Sequence, residues 1–215
     1  MMRSESLSRS PNPPVRLLVV RHGESTWNAR GLWQGQADPP LTARGEAQAR
    51  VAAQALTGLG IDRVISSDLA RASKTGHLIA AHLGLGAVAL DPGFREVDVG
   101  DWSGLTRLEI EERWPGLRAA WAENKLEATP GGEHLISFTS RVVDAITRAA
   151  ESARDGTTLV IGHSRVISAL ERFARVQPGR STHLSGRWFE VDASGRVRGR
   201  EPVNLLGEIK EPMRS

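Results

Sequence analysis

Two histidines in this chain stand at positions where an α/β protein does its chemistry. His22 closes an apolar run in Val19-Val20-Arg21-His22-Gly23, and His163 closes another in Val160-Ile161-Gly162-His163-Ser164. Each reads as the first residue after a buried strand. In open α/β sheets ligands bind outside the carboxyl ends of the strands, so both imidazoles are expected to face one crevice. A pair of hydrogen-bonded core histidines is the plainer alternative; the neighbouring arginine and glycines weigh against it. Arg71 falls at the start of an expected helix, in Ser66-Ser67-Asp68-Leu69-Ala70-Arg71-Ala72. Free N–H groups and the positive end of the helix dipole favour an anion there, and a guanidinium adds paired donors that match a phosphate. Taken alone, an arginine in that place is more often a solvated surface residue.

To bring these side chains together the chain needs a sheet whose strands end on one side. Residues 15–20 form a β-branched and leucine run entering the turn Arg-His-Gly. Leu41-Thr42 opens a helical pattern in which Ala47, Val51, Ala55, Leu56 and Leu59 recur, closed by Gly58 and Gly60. Residues 63–66 are a short strand. Ser67-Asp68 then offer N-caps for an amphipathic helix marked by Leu69, Ala72, Gly76, Ile79, Ala80 and Leu83. Residues 87–90 read as a further strand. From 94 to 132 the alternation fails, broken by Gly100, Gly104, Pro115, Gly116, Pro130 and Gly131-Gly132, with Trp102, Trp114 and Trp121 between them. This stretch is expected to be a lid insertion over one end of the sheet. Phe138, Val142, Ala145, Ile146 and Ala149 mark a third helix, 157–161 a buried strand, Val166, Ile167, Leu170 and Phe173 a fourth helix, and 188–191 a last strand. Strands alternating with helices predict an α/β fold, a three-layer α/β/α sandwich with a mainly parallel sheet. The 215 residues suit one domain over 15–215. A flexible polar tail at 1–14 precedes it, with no apolar segment of the kind a secretory signal carries.

Composition narrows the function. Apolar residues make up 40% of the chain, enough for a core. The longest apolar runs, 17–20 and 159–161, are far too short to cross a bilayer, so no membrane partner is expected. Basic and acidic residues number 28 and 25 with no block of five like charges, which weighs against nucleic acid. With no cysteine, disulfides, thiolate zinc sites and cysteine nucleophiles are ruled out, and a cytoplasmic location is suited. There is no G-x-x-x-x-G-K-[ST], no G-x-G-x-x-G after a strand, no H-E-x-x-H and no G-x-S-x-G. Gly84-Leu85-Gly86 is more simply a helix C-cap and turn. His77 and His82, five apart on a helix, point in different directions and read as surface or half-buried histidines. Nothing near His134 or His183 suggests chemistry.

The stretch Leu18-Val19-Val20-Arg21-His22-Gly23-Glu24-Ser25-Thr26-Trp27-Asn28 resembles the signature of the histidine phosphatase superfamily, in its phosphoglycerate-mutase-like branch. The resemblance continues in family order through Gln34-Gly35, Asp38, Pro40-Leu41-Thr42, Gly45, Ser66 to Ala72, Arg95 to Gly104, Pro130-Gly131-Gly132-Glu133 and Gly162-His163. It covers about residues 15–170. It implies His22 as the nucleophile that becomes phosphohistidine, and Arg21, Arg71 and His163 as the grip on the phosphoryl oxygens. Asn28 and Gln34 are implied as further contacts. Glu96 is implied as the general acid that protonates the leaving alkoxide and then as the base that activates water, with Glu133 a second carboxylate in reserve near the same cleft. Physical chemistry agrees with such a site. Phosphoryl transfer needs positioning and charge stabilisation, and two arginines can supply the charge without a metal or other cofactor. A neutral imidazole is a competent nucleophile if an acceptor holds its other nitrogen.

What the resemblance implies is a metal-independent phosphomonoesterase acting on a small phosphorylated substrate. A phosphoglycerate mutase and a non-catalytic phospho-ligand binder are the alternatives. The segment between Glu96 and Glu133 is compact, with Trp114-Pro115-Gly116 at its tip, where the family's mutases tend to carry a longer insertion with extra basic residues. Two departures stand out. Ser164-Arg165 follow His163 where the family often has glycine; the serine is expected to cap the helix starting there, and Arg165 to point to solvent more readily than into the pocket. From Phe173 onward nothing specific matches. Which phosphomonoester is the substrate, and whether the protein forms a homodimer, are left open.

Overall fold

The computed structural model describes residues 13–153, 156–179 and 181–207. Apart from Pro13 and Pro14, the tail expected at 1–14 lies outside the described residues. The chain runs β1 (Val15–Arg21), α1 (Thr26–Arg30), α2 (Ala43–Leu56), β2 (Ile61–Ser66), α3 (Ala70–His82) and β3 (Ala89–Leu90). Two 3-10 turns follow (Pro92–Phe94 and Gly100–Trp102), then α4 (Arg107–Arg113), α5 (Leu117–Ala122), α6 (Leu135–Glu151), β4 (Thr157–Gly162), α7 (Ser164–Phe173), β5 (Ser185–Val191) and β6 (Val197–Asn204). The strands form one sheet in the order β3-β2-β4-β1-β5-β6. β3, β2, β4 and β1 are mutually parallel, and β5 pairs antiparallel with both β1 and β6.

Alternate residues of the central strands feed a separate core on each face. Leu18, Val20, Val64, Leu159 and Ile161 pack with Ala52, Leu56, Ala72 and Ile79 of α2 and α3. Leu17, Val19, Ile65, Val160 and Phe189 pack with Phe138, Val142 and Ile146 of α6 and with Val166, Ile167 and Leu170 of α7. The sheet is thus the middle of three layers. β4, flanked by β2 and β1 and covered on both faces, is buried at every residue, which is why its sequence is a continuous apolar run rather than an alternating one.

Register places the site. Arg21 of β1 pairs with Gly162 of β4, and Ser66 of β2 with Ile161. The next residues, His22, His163 and Ser67, therefore emerge side by side at the carboxyl edge. Glycine keeps the first of these loops against α2. A Cβ on Gly45 would lie 2.0 Å from the Glu24 carbonyl oxygen, and one on Gly23 would lie 2.5 Å from the Gly45 carbonyl oxygen.

The structure corrects several expectations. α3 starts at Ala70 with Leu69 as N-cap and no capping bond from its own side chains. Ser67 instead accepts from the Leu69 N–H at 3.3 Å, Asp68 is held by Arg95 at 2.7 and 2.5 Å, and the Ala70 N–H is capped by Asp38 from a distant loop at 2.6 Å. Ser164 does not cap α7; it is the first helical residue, and His163 is the N-cap. The short α1, closed by a Ser25–Asn28 capping box and by Gly31 at φ 71°, was not expected. Neither was β6. Its sequence VRGREPVN alternates poorly and contains Pro202, which an edge strand tolerates. Segment 94–132 contains α4 and α5 as well as the 3-10 turn around Trp102. Trp102 and Trp121 are buried in the core, edge-on at 6.3 Å, with Trp33 on Trp102 at 5.1 Å. Among the described residues no helix is long and apolar enough to cross a membrane.

Candidate active site

An open cleft of about 1500 Å³ lies at the carboxyl edge of the parallel strands, and Arg21, His22, Asn28, Gln34, Arg71 and Glu96 all line it. At its centre His22 is almost wholly buried. Its Nδ1 is 2.6 Å from the Gly23 carbonyl oxygen. A carbonyl only accepts, so the proton is on Nδ1 and the lone pair on Nε2. The Arg71 Nε–H donates to that Nε2 at 3.2 Å. Burial first, then the charges of Arg71, His163 and Arg21, hold the imidazole well below its usual pKa, against a smaller upward pull from the Gly23 carbonyl. His22 is therefore neutral at pH 7.

Arg71 is not a solvated surface residue. It is 1% exposed, and its terminal nitrogens donate to the Ala37 and Gly35 carbonyls at 2.7 and 2.8 Å, which holds the guanidinium with its Nε–H toward His22. Burial lowers its pKa to about 10, partly offset by Glu96 and Asp38, so it keeps its charge at neutral pH. Arg21 donates to the Ser181 carbonyl at 3.0 Å. His163 lies 5.0 Å from His22 between ring centroids, fully buried behind it rather than on the cleft surface. Its Nε2 is 3.0 Å from the Ser67 hydroxyl, and its buried Nδ1 has no hydrogen-bond partner among the described residues. Burial and the charges of Arg71, Arg21 and Arg141 depress its pKa as well.

Asn28 and Gln34 meet at Ser25. The Ser25 N–H donates to the Asn28 carbonyl oxygen at 3.2 Å, and the Ser25 hydroxyl lies 2.8 Å from that of Gln34. Glu96 accepts from the Val97 N–H at 2.9 Å and from the Arg165 N–H at 3.3 Å. Glu133 is not brought to the cleft lining. It receives a two-pronged bond from Arg141 at 2.7 and 2.8 Å, and the same guanidinium donates to the carbonyls of Gly93, Arg95 and Glu96. The Arg141–Glu133 pair is therefore a brace on the backbone that carries Glu96.

One cleft residue escaped the sequence reading, and another takes the less favoured of its two expected positions. His183, in the loop before β5, lies 6.2 Å from His22 between ring centroids and 3.3 Å from the Asn28 carbonyl oxygen. Only the return of β5 beside β1 brings it there, and no local pattern signals that. Arg165, expected toward solvent, lines the cleft, its guanidinium 4.4 Å over the ring of Trp121, the one of Trp102, Trp114 and Trp121 that lines it. His77 and His82 are exposed, within the expectation, and His134 is exposed as well. Among the described residues no three His, Cys, Asp or Glu side chains are grouped so as to hold a metal ion.

Residues 17–185 match the family description of the histidine phosphatase superfamily, branch 1. The chain belongs to that superfamily. Among its relatives is a glucosyl-3-phosphoglycerate phosphatase of Mycobacterium tuberculosis, 32% identical over 208 residues, which cover 87% of this chain and 93% of that protein. A 2,3-bisphosphoglycerate-dependent phosphoglycerate mutase of Methylobacterium radiotolerans is 39% identical over 132 residues, 59% of this chain and 62% of the other. Among solved structures, mycobacterial glucosyl-3-phosphoglycerate phosphatase in complex with VO3 superposes with a TM-score of 0.76 at 28% identity, covering 86% of this chain and 96% of that one.

Proposed function

We propose that this histidine phosphatase hydrolyses a small phosphomonoester in two steps through a phosphohistidine on His22. The observation that carries the reading is the state of His22: a neutral imidazole with its proton fixed on Nδ1 and its Nε2 lone pair beside the Arg71 guanidinium. In the first step Nε2 attacks phosphorus and the bond to the leaving alkoxide breaks. Arg71 and Arg21 balance the charge on the phosphoryl oxygens. The Nδ1–H stays on the Gly23 carbonyl and steadies the positive charge that the ring gains. Glu96 gives a proton to the alkoxide. In the second step Glu96 takes a proton from water as it attacks phosphorus, the P–N bond breaks, and His22 returns to its starting form.

Asn28 and Gln34 line the same cleft with their carbonyl oxygens engaged inside the protein, so their amide N–H groups are the ends suited to phosphoryl oxygens. His163, fully buried next to His22 and off the cleft surface, in this reading backs the His22 ring rather than touching the phosphoryl oxygens. The relative named glucosyl-3-phosphoglycerate phosphatase supports hydrolysis of a phosphorylated metabolite, and we assign the reaction to the cytoplasm on the cysteine-free composition. The alternative, a mutase, returns the phosphoryl group to an acceptor hydroxyl instead of water. Release of inorganic phosphate from p-nitrophenyl phosphate, with EDTA present and no bisphosphoglycerate added, is the expected result. Activity that requires a bisphosphoglycerate primer, or a metal ion restored after chelation, would contradict the reading.

A further inference from the structure

The reaction proposed above leaves Arg165 without a task. Its side chain lines the cleft with those of Ser168 and Arg172, three and seven residues further along α7 and on the same helix face. Two nitrogens of its guanidinium donate to neutral acceptors, Asn124 Oδ1 and the Trp121 carbonyl, both at 2.9 Å, and its Cζ lies over the Trp121 ring. It forms no ion pair with a carboxylate among the described residues. Burial pushes its pKa down, while Glu96 pulls it up only in part. A cation that is pinned over a ring and partly dehydrated has already lost its side-chain freedom, yet its charge is compensated only in part by Glu96. Such a group gains more from an incoming anion than a mobile surface arginine does.

Position says which part of a substrate that anion belongs to. The Arg165 N–H holds the carboxylate of Glu96, the proposed proton donor to the leaving oxygen. The transferring phosphoryl group is matched by Arg71 and Arg21 around His22. Charge in the cleft is also lopsided: arginines outnumber carboxylates seven to two among its lining residues, a field that draws in multiply charged anions.

We propose that Arg165 is a specificity-determining residue that receives an anionic substituent, a carboxylate or a second phosphoryl group, on the leaving group of the substrate. The inference rests on the reading of the cleft as a phosphomonoesterase site. Trp121 and Asn124 keep the guanidinium in place, and Arg172 adds a second cation of α7 to the cleft lining.

The test is a ratio of kcat/KM within matched substrate pairs. 3-Phosphoglycerate and glycerol 3-phosphate differ by a carboxylate in place of a hydroxymethyl group. Fructose 1,6-bisphosphate and fructose 6-phosphate differ by a second phosphoryl group. The wild type is expected to favour the anionic member of one pair by about tenfold or more, the worth of a charged hydrogen bond, and the pair that shows the preference names the anion. Arg165→Gln should bring that ratio near one, and Arg165→Lys should keep part of it; the lysine variant carries the test if the glutamine variant melts far below the wild type. A ratio near one in an active wild type, or equal losses on both members in the variants, overturns the proposal and leaves Arg165 as a prop for Glu96. Failure of the wild type to hydrolyse even p-nitrophenyl phosphate would bring down the phosphatase reading itself.

Discussion

At the scale of single residues, the proposed mechanism rests on an uncharged imidazole, His22, held among fixed positive charges. An imidazole in water is half protonated near pH 6.5; His22 resists protonation because burial and Arg71 disfavour a second positive charge. In the free enzyme its Nε2 should stay unprotonated well below pH 6.5, as an NMR titration of the ring nitrogens would show. A titration midpoint at or above 6.5 would contradict this. Glu96 is the residue whose role can be separated by chemistry. A sugar or glycerate alkoxide needs a proton as it leaves, whereas p-nitrophenolate hardly does. Glu96→Gln should therefore slow phosphohistidine formation by about 10²–10⁴-fold with alkyl phosphates and far less with p-nitrophenyl phosphate. Pre-steady-state kinetics on both substrates reads this directly. Equal losses in that step would make Glu96 a packing residue. Since Glu133 is engaged by Arg141, it is a poor substitute donor.

At the scale of elements, local signals predict what local forces decide. β1 and β4 are legible because strands covered on both faces must be apolar, and α6 because Phe138, Val142, Ala145, Ile146 and Ala149 recur on one side. The start of α3 is misjudged because its cap comes from Asp38, 32 residues away, while Ser67 and Asp68 are engaged elsewhere. β6 is missed because an exposed edge strand needs no apolar alternation. The site follows the same division. Arg-His-Gly and its surroundings are local and readable, whereas His183 and the inward turn of Arg165 depend on which elements meet. One junction here is open to test. Ala at Gly45 would drive a Cβ to 2.0 Å from the Glu24 carbonyl oxygen, a backbone atom that cannot swing aside. Gly45→Ala should cost at least about 1–3 kcal/mol, the usual range for overpacking, and should lower kcat by displacing the loop that carries His22. Urea melts near wild type would show that α2 yields more easily than this contact implies.

At the scale of the whole molecule, the fold accepts a cost in acid so that the site can work. His22 and His163 are both buried and neutral, with pKa values depressed below those they have in the unfolded chain. The unfolded chain therefore binds more protons as pH falls below about 6.5. Stability from these groups is complete above that pH and declines through the interval between the unfolded and the lower folded values. Urea unfolding between pH 8 and pH 5 should show a plateau, then a fall starting near 6.5, before the carboxylates titrate. A flat profile down to pH 5 would mean that the folded protein accommodates the imidazolium forms. The architecture was legible at this scale because alternating strand and helix signals leave few ways to arrange a parallel sheet. The antiparallel β5–β6 edge was not, since it lies where the sequence carries no family motif.

The central claim is a covalent bond between His22 Nε2 and phosphorus. Wild-type protein mixed with labelled phosphomonoester and quenched into alkali within one turnover should carry up to one acid-labile phosphoryl group per chain, located on the peptide that contains His22. His22→Ala should carry none and should lose at least about 10³-fold in kcat, as removal of a nucleophile does. Label on another residue, or near-normal turnover by His22→Ala, would contradict the account.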